Sequence, residues 1–231
     1  MGGIPTVTYF VPVLVVVVMV ILLVQRRFVV KRMQREYGHF RLADLAHRLR
    51  LNVVEGDPEL NMALVNTYYT TEARVRMLGE PYGHPTEFVF YSRTEQERHV
   101  SSTTIHNWFD CRLRIQVPVA FPAFEIVPRR QKRSTEIPPE LSLPGASFGD
   151  PNLDAVLSLM SAEPGVGPVL AGAAADLIRF GHVHVQGCDG MLSFVLNRTG
   201  YLAGLGHLAE AQQVLERMAR GLAAGPAHRV G

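Results

Sequence analysis

Two histidines and a cysteine in the last quarter of the chain have the residue types of a metal site. His182 and His184 lie two residues apart in a run of alternating hydropathy, so on a β-strand both side chains would lie on the same face. Cys188 follows shortly after them, and imidazole and thiolate groups are ligands that zinc prefers. No fourth ligand completes a known spacing. His182, His184 and Cys188 are therefore the candidate metal ligands, and the alternative is that the two histidines are ordinary exposed strand residues beside a hairpin turn.

Cys111 could act as a nucleophile if His99 or His106 served as its base. The alternation around Cys111, however, places it with Leu113 and Ile115 on the apolar side of a strand, which is typical of a buried structural cysteine. The serines lack a G-x-S-x-G motif, and no P-loop or dinucleotide fingerprint occurs. We therefore predict no catalytic residue and no cofactor, and the sequence favours a binding role over an enzymatic one.

Residues 4–24 contain no charged side chain and consist mainly of Val, Leu, Ile, Met and aromatic residues. A helix of this length reaches about 30 Å, the thickness of the hydrocarbon core of a bilayer. A cleaved signal peptide would need a basic start, a shorter apolar run and a small-residue cleavage site, and all three are missing. The stretch therefore predicts a transmembrane helix.

The charge around this stretch is asymmetric, because MGGIPT carries no charged side chain and a basic segment follows the stretch. The positive-inside rule then predicts a single-pass protein of the inner (plasma) membrane, with its N-terminus outside and its domain in the cytoplasm. Two cysteines far apart in sequence agree with a reducing compartment. The basic residues either fix this topology alone or also contact anionic lipid, and the candidate lipid-contacting residues are Arg26, Arg27, Lys31, Arg32 and Arg35.

Downstream of the basic segment, short alternating runs separated by turn residues are interrupted by helical patterns. The clearest alternation, over 103–119, predicts a half-buried antiparallel strand. Residues 150–160 fit either a capped helix or a strand. The predicted fold class is α+β, with an N-terminal transmembrane helix followed by one domain whose antiparallel sheet has helices packed on it. The predicted divisions are an external N-terminus (1–3), the transmembrane helix (4–24), a basic juxtamembrane segment (25–40), the cytoplasmic domain (41–224, with a loop at 129–149) and a tail (225–231).

The segments LADLAHRLRLNVVEGDPE, LGEPYGHPTEFVF, FPAFEIVPRR, SFGDPNLDAVLSLMSAE and HVHVQGCDGMLSFV follow one another over most of 41–222. In this order they resemble the layout of an uncharacterised bacterial family of membrane-anchored cytoplasmic α+β domains. The resemblance implies one or two N-terminal spans and a domain of unknown activity, and it would make 153–160 extended. It supplies no catalytic residue.

A scaffold or accessory subunit of a membrane-associated complex is the function that these features favour. The expected partners are the lipid bilayer and a protein, whereas a net charge of +2 is too small to indicate nucleic acid. Trp108 and Phe109 form either a partner-binding patch or part of the core. The alternatives are a membrane-tethered enzyme, with or without assistance from a metal, and a module that binds anionic lipid.

Overall fold

The structure is a computed structural model. The chain divides into two units, Met1–His39 and Phe40–Gly231, and every element described below belongs to the second. The structure describes Met19 and residues 40–64, 72–98, 103–129, 143–180, 184–196 and 201–224.

The described residues form nine strands and four helices, together with a single helical turn at Met62–Leu64. The helices are α1 (Leu42–Leu49), α2 (Pro151–Val156), α3 (Val166–Ala174), which continues as a 3-10 helix over Ala175–Phe180, and α4 (Tyr201–Ala224). The strands are β1 (Asn52–Glu55), β2 (Glu72–Gly79), β3 (Thr86–Arg98), β4 (Thr103–Gln116), β5 (Phe124–Pro128), β6 (Gly145–Ala146), β7 (Leu157–Ser161), β8 (Val185–Cys188) and β9 (Met191–Val195).

The strands form one sheet in the order β1-β2-β3-β4-β9-β8-β5-β7-β6, and every neighbouring pair is antiparallel. The long hairpin of β3 and β4 lies near the middle of this order. Its register runs from Thr86 opposite Ile115 to Arg98 opposite Thr103. The alternation that predicted a strand over 103–119 is confirmed by β4.

The helices pack on one face of the sheet, which we call the inner face, and the opposite face is the outer face. Alternate residues of β2, β3, β4 and β9 point inward and are buried, as the period of two of a β-strand requires. Tyr201 at the start of α4 packs against the rings of Phe90 and Phe109, with both centroid distances 5.4 Å. Its hydroxyl donates a hydrogen bond to the carbonyl oxygen of Met62. This cluster anchors α4 to the hairpin.

The stretch 150–160, which fitted either a helix or a strand, contains both. Asp150 caps α2 through its side chain, which accepts a hydrogen bond from the backbone N–H of Asn152 at 2.8 Å, and Pro151 occupies the first turn. The helix ends after six residues at Val156. Leu157 and Leu159 then point inward from β7. Each of the two patterns therefore holds for one half of the stretch.

The predicted fold class, with its N-terminal transmembrane helix before an α+β domain, is corrected by the structure. The described residues form a nine-stranded antiparallel sheet with helices, and none of these helices is both long and apolar enough to cross a membrane. The longest is α4, with 24 residues, but charged side chains such as Glu210 and Arg220 interrupt its apolar surface. Apart from Met19, the stretch 4–24 lies outside the described residues.

Candidate binding surface and histidine pairs

His184, from the candidate metal site, lies just before β8 and is buried on the outer face together with Glu125 of β5. Its Nε2 lies 2.7 Å from Oε1 of Glu125. A buried carboxylate requires such a partner, because an unpaired charge in the interior is costly. The imidazole is thus held by a residue 59 positions away.

Cys188 ends β8, four residues after His184, and is partly exposed. The two residues lie on the same face, but about 3.3 Å per strand residue separates them by about 13 Å, too far to share one metal ion directly. Burial and the neighbouring Asp189 raise the pKa of the Cys188 thiol. His182 lies outside the described residues, and within the part of the chain that is described no three metal-binding side chains gather. The metal site stays a prediction.

Cys111 lies on the inner face of β4 and is fully buried. Burial raises the pKa of its thiol well above the ordinary value, and the charge of Asp110 adds to this effect. A reactive cysteine needs the opposite shift, because the thiolate is the nucleophile. The environment of Cys111 therefore suits a structural role. The side chains of His99 and His106, its two candidate bases, lie outside the described part.

A second histidine–carboxylate pair, which the sequence did not predict, joins the β2–β3 turn to α4. Nδ1 of His84 lies 2.7 Å from Oε2 of Glu216, and the side chains are 15% and 3% exposed. The other carboxylate oxygen, Oε1, is buried, and none of the described residues forms a hydrogen bond with it. We call this contact the His84–Glu216 clamp. Because 132 positions separate its members, no local pattern could have indicated it.

The outer face of β2, β3 and β4 forms a surface of arginines, aromatic residues and acids, which we call the arginine face. All its described side chains are exposed or half-buried, in contrast to the outer face of β5, β8 and β9, where His184 and Ser193 are buried. The arginine face consists of Glu72, Arg74, Arg76, Leu78, Glu87, Val89, Tyr91, Arg93, Trp108, Asp110, Arg112, Arg114 and Gln116.

Most side chains of the arginine face are held by a neighbour. The guanidinium carbon of Arg74 lies 5.6 Å from the ring centroid of Tyr91, and that of Arg93 lies 5.8 Å from the ring of Trp108. Nε of Arg112 donates to a carboxylate oxygen of Asp110 at 2.5 Å. Such pairing lowers the conformational entropy that these long side chains would lose on binding.

Glu87 binds two arginines at once, one from each neighbouring strand. Nε of Arg76 donates to its Oε1 at 2.7 Å, and Nη1 of Arg114 donates to its Oε2 at 3.3 Å. Two positive charges therefore lie beside one negative charge. A guanidinium carries about five N–H donors, so most donors of both arginines are left over.

These arginines line an open groove of about 520 Å³ on the outer face. The groove extends across β1, β2, β3, β4 and β9, and the β2–β3 turn closes one side of it. Its walls combine apolar, amide and charged side chains, including Asn52, Val54, Arg76, Leu78, Glu80, Glu87, Arg114, Gln116 and Met191.

Trp108 and Phe109, which were predicted to form either a partner-binding patch or part of the core, differ in burial. Trp108 lies on the arginine face with 44% of its surface exposed, whereas Phe109 packs inside against Tyr201. The alternation of arginine with apolar residues in β2 and β4 is visible in the sequence. The candidate lipid-contacting residues Arg26, Arg27, Lys31, Arg32 and Arg35 lie outside the described part.

Neither a protein-family model nor a curated protein matches this chain. Among solved structures it is similar to the crystal structure of the mycobacterial trehalose monomycolate transport factor A, TtfA. The TM-score is 0.40 at 11% sequence identity, and the match covers 77% of this chain and 93% of that chain. A likeness of this degree assigns neither a fold family nor a function.

Proposed function

We propose that this protein is a scaffold or accessory subunit of a membrane-associated complex and binds a protein partner through its arginine face. The observation that carries the proposal is the clustering of five arginines, a tyrosine and a tryptophan, each exposed or half-buried, on one side of the sheet. Arginine, tyrosine and tryptophan are the residues that dominate the binding energy of protein interfaces.

The arginine face has the physical properties of a docking surface. Its side chains stand on three strands of a sheet whose other side is buried against helices, so the backbone beneath them is rigid. The alternating positive and negative groups give a pattern of charge that can select one partner and reject others.

The supporting observations for a location at the cytoplasmic side of the inner membrane are in the sequence. An uncharged apolar stretch occupies 4–24, and basic residues follow it directly. Attachment to a bilayer would hold the arginine face close to membrane-bound partners and raise their effective concentration.

Site-specific photo-crosslinking in membranes tests the docking role. A photoreactive phenylalanine analogue replaces Trp108 in one variant and Ile178 in the control. Ile178 is an exposed apolar residue of the 3-10 helix, with 47% of its surface accessible. We expect one crosslinked product of defined mass from position 108, and its loss when Arg93→Glu and Arg112→Glu are added.

Two outcomes would contradict the proposal. One is the absence of any crosslinked product from position 108 in membranes that contain the native level of the protein. The other is the same set of products from both positions, because that result would indicate random collision and not docking.

A further inference from the structure

We propose that the groove on the arginine face binds an extended segment of the partner protein in which acidic and apolar residues alternate. Arg76 and Arg114 would bind a carboxylate of that segment, and Glu87 positions both guanidinium groups. This inference rests on the proposed function and names the chemistry of the partner.

The groove offers N–H donors from two arginines. Arg76 and Arg114 each use one N–H group on Glu87, and within the described part of the chain no other acceptor binds either guanidinium. Their remaining donors lie at the groove. Arginine binds carboxylates through two parallel N–H···O bonds, so a carboxylate is a matched ligand.

Glu87 holds the two guanidinium groups in place before a ligand binds. A lone arginine on a surface must give up side-chain freedom when it binds. Here both carboxylate oxygens of Glu87 are occupied, one by each arginine, which fixes the two guanidinium groups side by side. A binding carboxylate therefore finds its partners already in place. Glu87 and the two arginines together carry one net positive charge, which attracts the carboxylate, whereas Glu80 at the groove opposes it.

The length and the amide side chains of the groove suit an extended peptide segment. The groove crosses five strands, and four spacings of about 4.8 Å give a length of about 19 Å. An extended chain of about six residues spans that distance. Asn52 and Gln116, at β1 and β4, can both donate to and accept from a peptide backbone. An acyl chain would leave these amides unpaired.

Part of the groove lining is apolar. Val54, Leu78 and Met191 line the groove beside the arginines. Val54 is an exposed residue of the edge strand β1, with 55% of its surface accessible. Burying such side chains against a partner contributes roughly 25 cal/mol per Å². A segment in which acidic and apolar residues alternate can therefore contact both the arginines and the apolar side chains of the groove.

Glu80 gives an independent check, because it lies at the groove and opposes a negative ligand. It is exposed on the β2–β3 turn and forms no ion pair within the described residues. Removing its charge should therefore strengthen binding of an acidic segment.

Fluorescence anisotropy with the full chain in a non-ionic detergent tests the inference. The probe is a fluorescein-labelled peptide of six residues in which leucine and glutamate alternate, and the comparison peptide has glutamine for glutamate. We expect saturable binding of the acidic peptide and affinity at least about tenfold weaker for the neutral one, with salt weakening the former.

Variants locate the site. Arg114→Gln and Arg76→Gln should each weaken binding of the acidic peptide about tenfold, and Glu80→Gln should strengthen it two- to threefold by the charge argument above. The matched control is Arg179→Gln, because Arg179 pairs with a single carboxylate, that of Asp176, on the 3-10 helix and lies outside both the groove and the arginine face. Its affinity should stay within about twofold. Far-ultraviolet circular dichroism confirms that each variant is folded.

Three results would overturn the inference. The first is equal affinity for both peptides, and the second is equal loss of affinity in the Arg179 and Arg114 variants. The third is displacement of the acidic peptide by phosphatidylglycerol but not phosphatidylcholine vesicles, with the displacement lost in the Arg76 and Arg114 variants. The last would assign the groove to a lipid head group. Failure of peptide binding leaves the crosslink from position 108 intact, whereas failure of the docking role removes that crosslink as well.

Discussion

Removal of His84 should destabilise the fold strongly, because it leaves Glu216 buried without a partner. Glu216 is 3% exposed, and within the described part of the chain its Oε1 already lacks a hydrogen bond. In His84→Ala the second oxygen, Oε2, loses its contact as well. Removing one member of a buried ion pair costs about 3–5 kcal/mol. Because His84 itself is partly exposed, we place the loss in the free energy of unfolding at about 3 kcal/mol, the lower end of this range.

Replacing the carboxylate should cost less than removing the histidine. In Glu216→Leu the buried charge is gone, leucine suits a helix interior, and His84 can still reach water. We expect a loss of about 1 kcal/mol from the single hydrogen bond. In the double variant, His84→Ala with Glu216→Leu, no charge is left buried, so the loss should be close to that of Glu216→Leu alone.

Urea denaturation of the full chain measures these differences through Trp108, the one tryptophan of the sequence. The control is His47→Ala, an exposed histidine of α1, which should change the free energy by less than about 0.5 kcal/mol. The reasoning is refuted if His84→Ala costs less than about 1 kcal/mol, or if the losses of the two single variants simply add.

Further predictions concern the core, the sheet and the basic segment at 25–40. Tyr201→Phe removes the hydroxyl that donates to Met62 and should cost about 1–2 kcal/mol, measured by urea denaturation. Burial raises the pKa of Cys111 and Tyr201, so as the pH rises the unfolded chain loses these protons before the folded chain does. The free energy of unfolding should therefore keep its full value below about pH 9 and fall above it, with a smaller slope in Cys111→Ala than in wild type. Gly187→Ala places a Cβ in steric overlap with the ring of Phe124 and should lower the melting temperature by several degrees, whereas Gly172→Ala, with open space around it, should not. Replacing Arg26, Arg27, Lys31, Arg32 and Arg35 with glutamine should weaken binding to anionic vesicles by roughly 1 kcal/mol per residue, checked by co-sedimentation at low and high salt.

Local sequence patterns predicted the secondary structure correctly where it depends on the residues of one short segment. The strand over 103–119 was predicted because Cys111, Leu113 and Ile115 alternate with polar residues, and the structure buries all three. The ambiguous stretch 150–160 contained a helix pattern followed directly by a strand pattern, and both were correct. A cap at Asp150 starts the helix, and alternation after Val156 requires a strand.

Pairing between distant segments could not be predicted in the same way. The order β4-β9-β8-β5 places strands together that are far apart in the chain, and only this order brings His184 to Glu125. The sequence suggested a metal for His184 because the spacing to His182 was visible and Glu125 was not. Likewise, Glu87 became a candidate only when the register placed it between Arg76 and Arg114.

The His84–Glu216 clamp and the groove are physically connected, although they lie on opposite sides of the sheet. Pro85 and Thr86 line the groove and follow His84 directly. The Thr86 hydroxyl donates to the carbonyl of His84, and the carbonyl of Pro85 accepts from the backbone N–H of Gln116. The turn that closes the groove is therefore held by α4 on one side and by β4 on the other. Loss of the clamp releases one of these two attachments, so the contact between the turn and the buried side of α4 helps to shape the groove on the outer face.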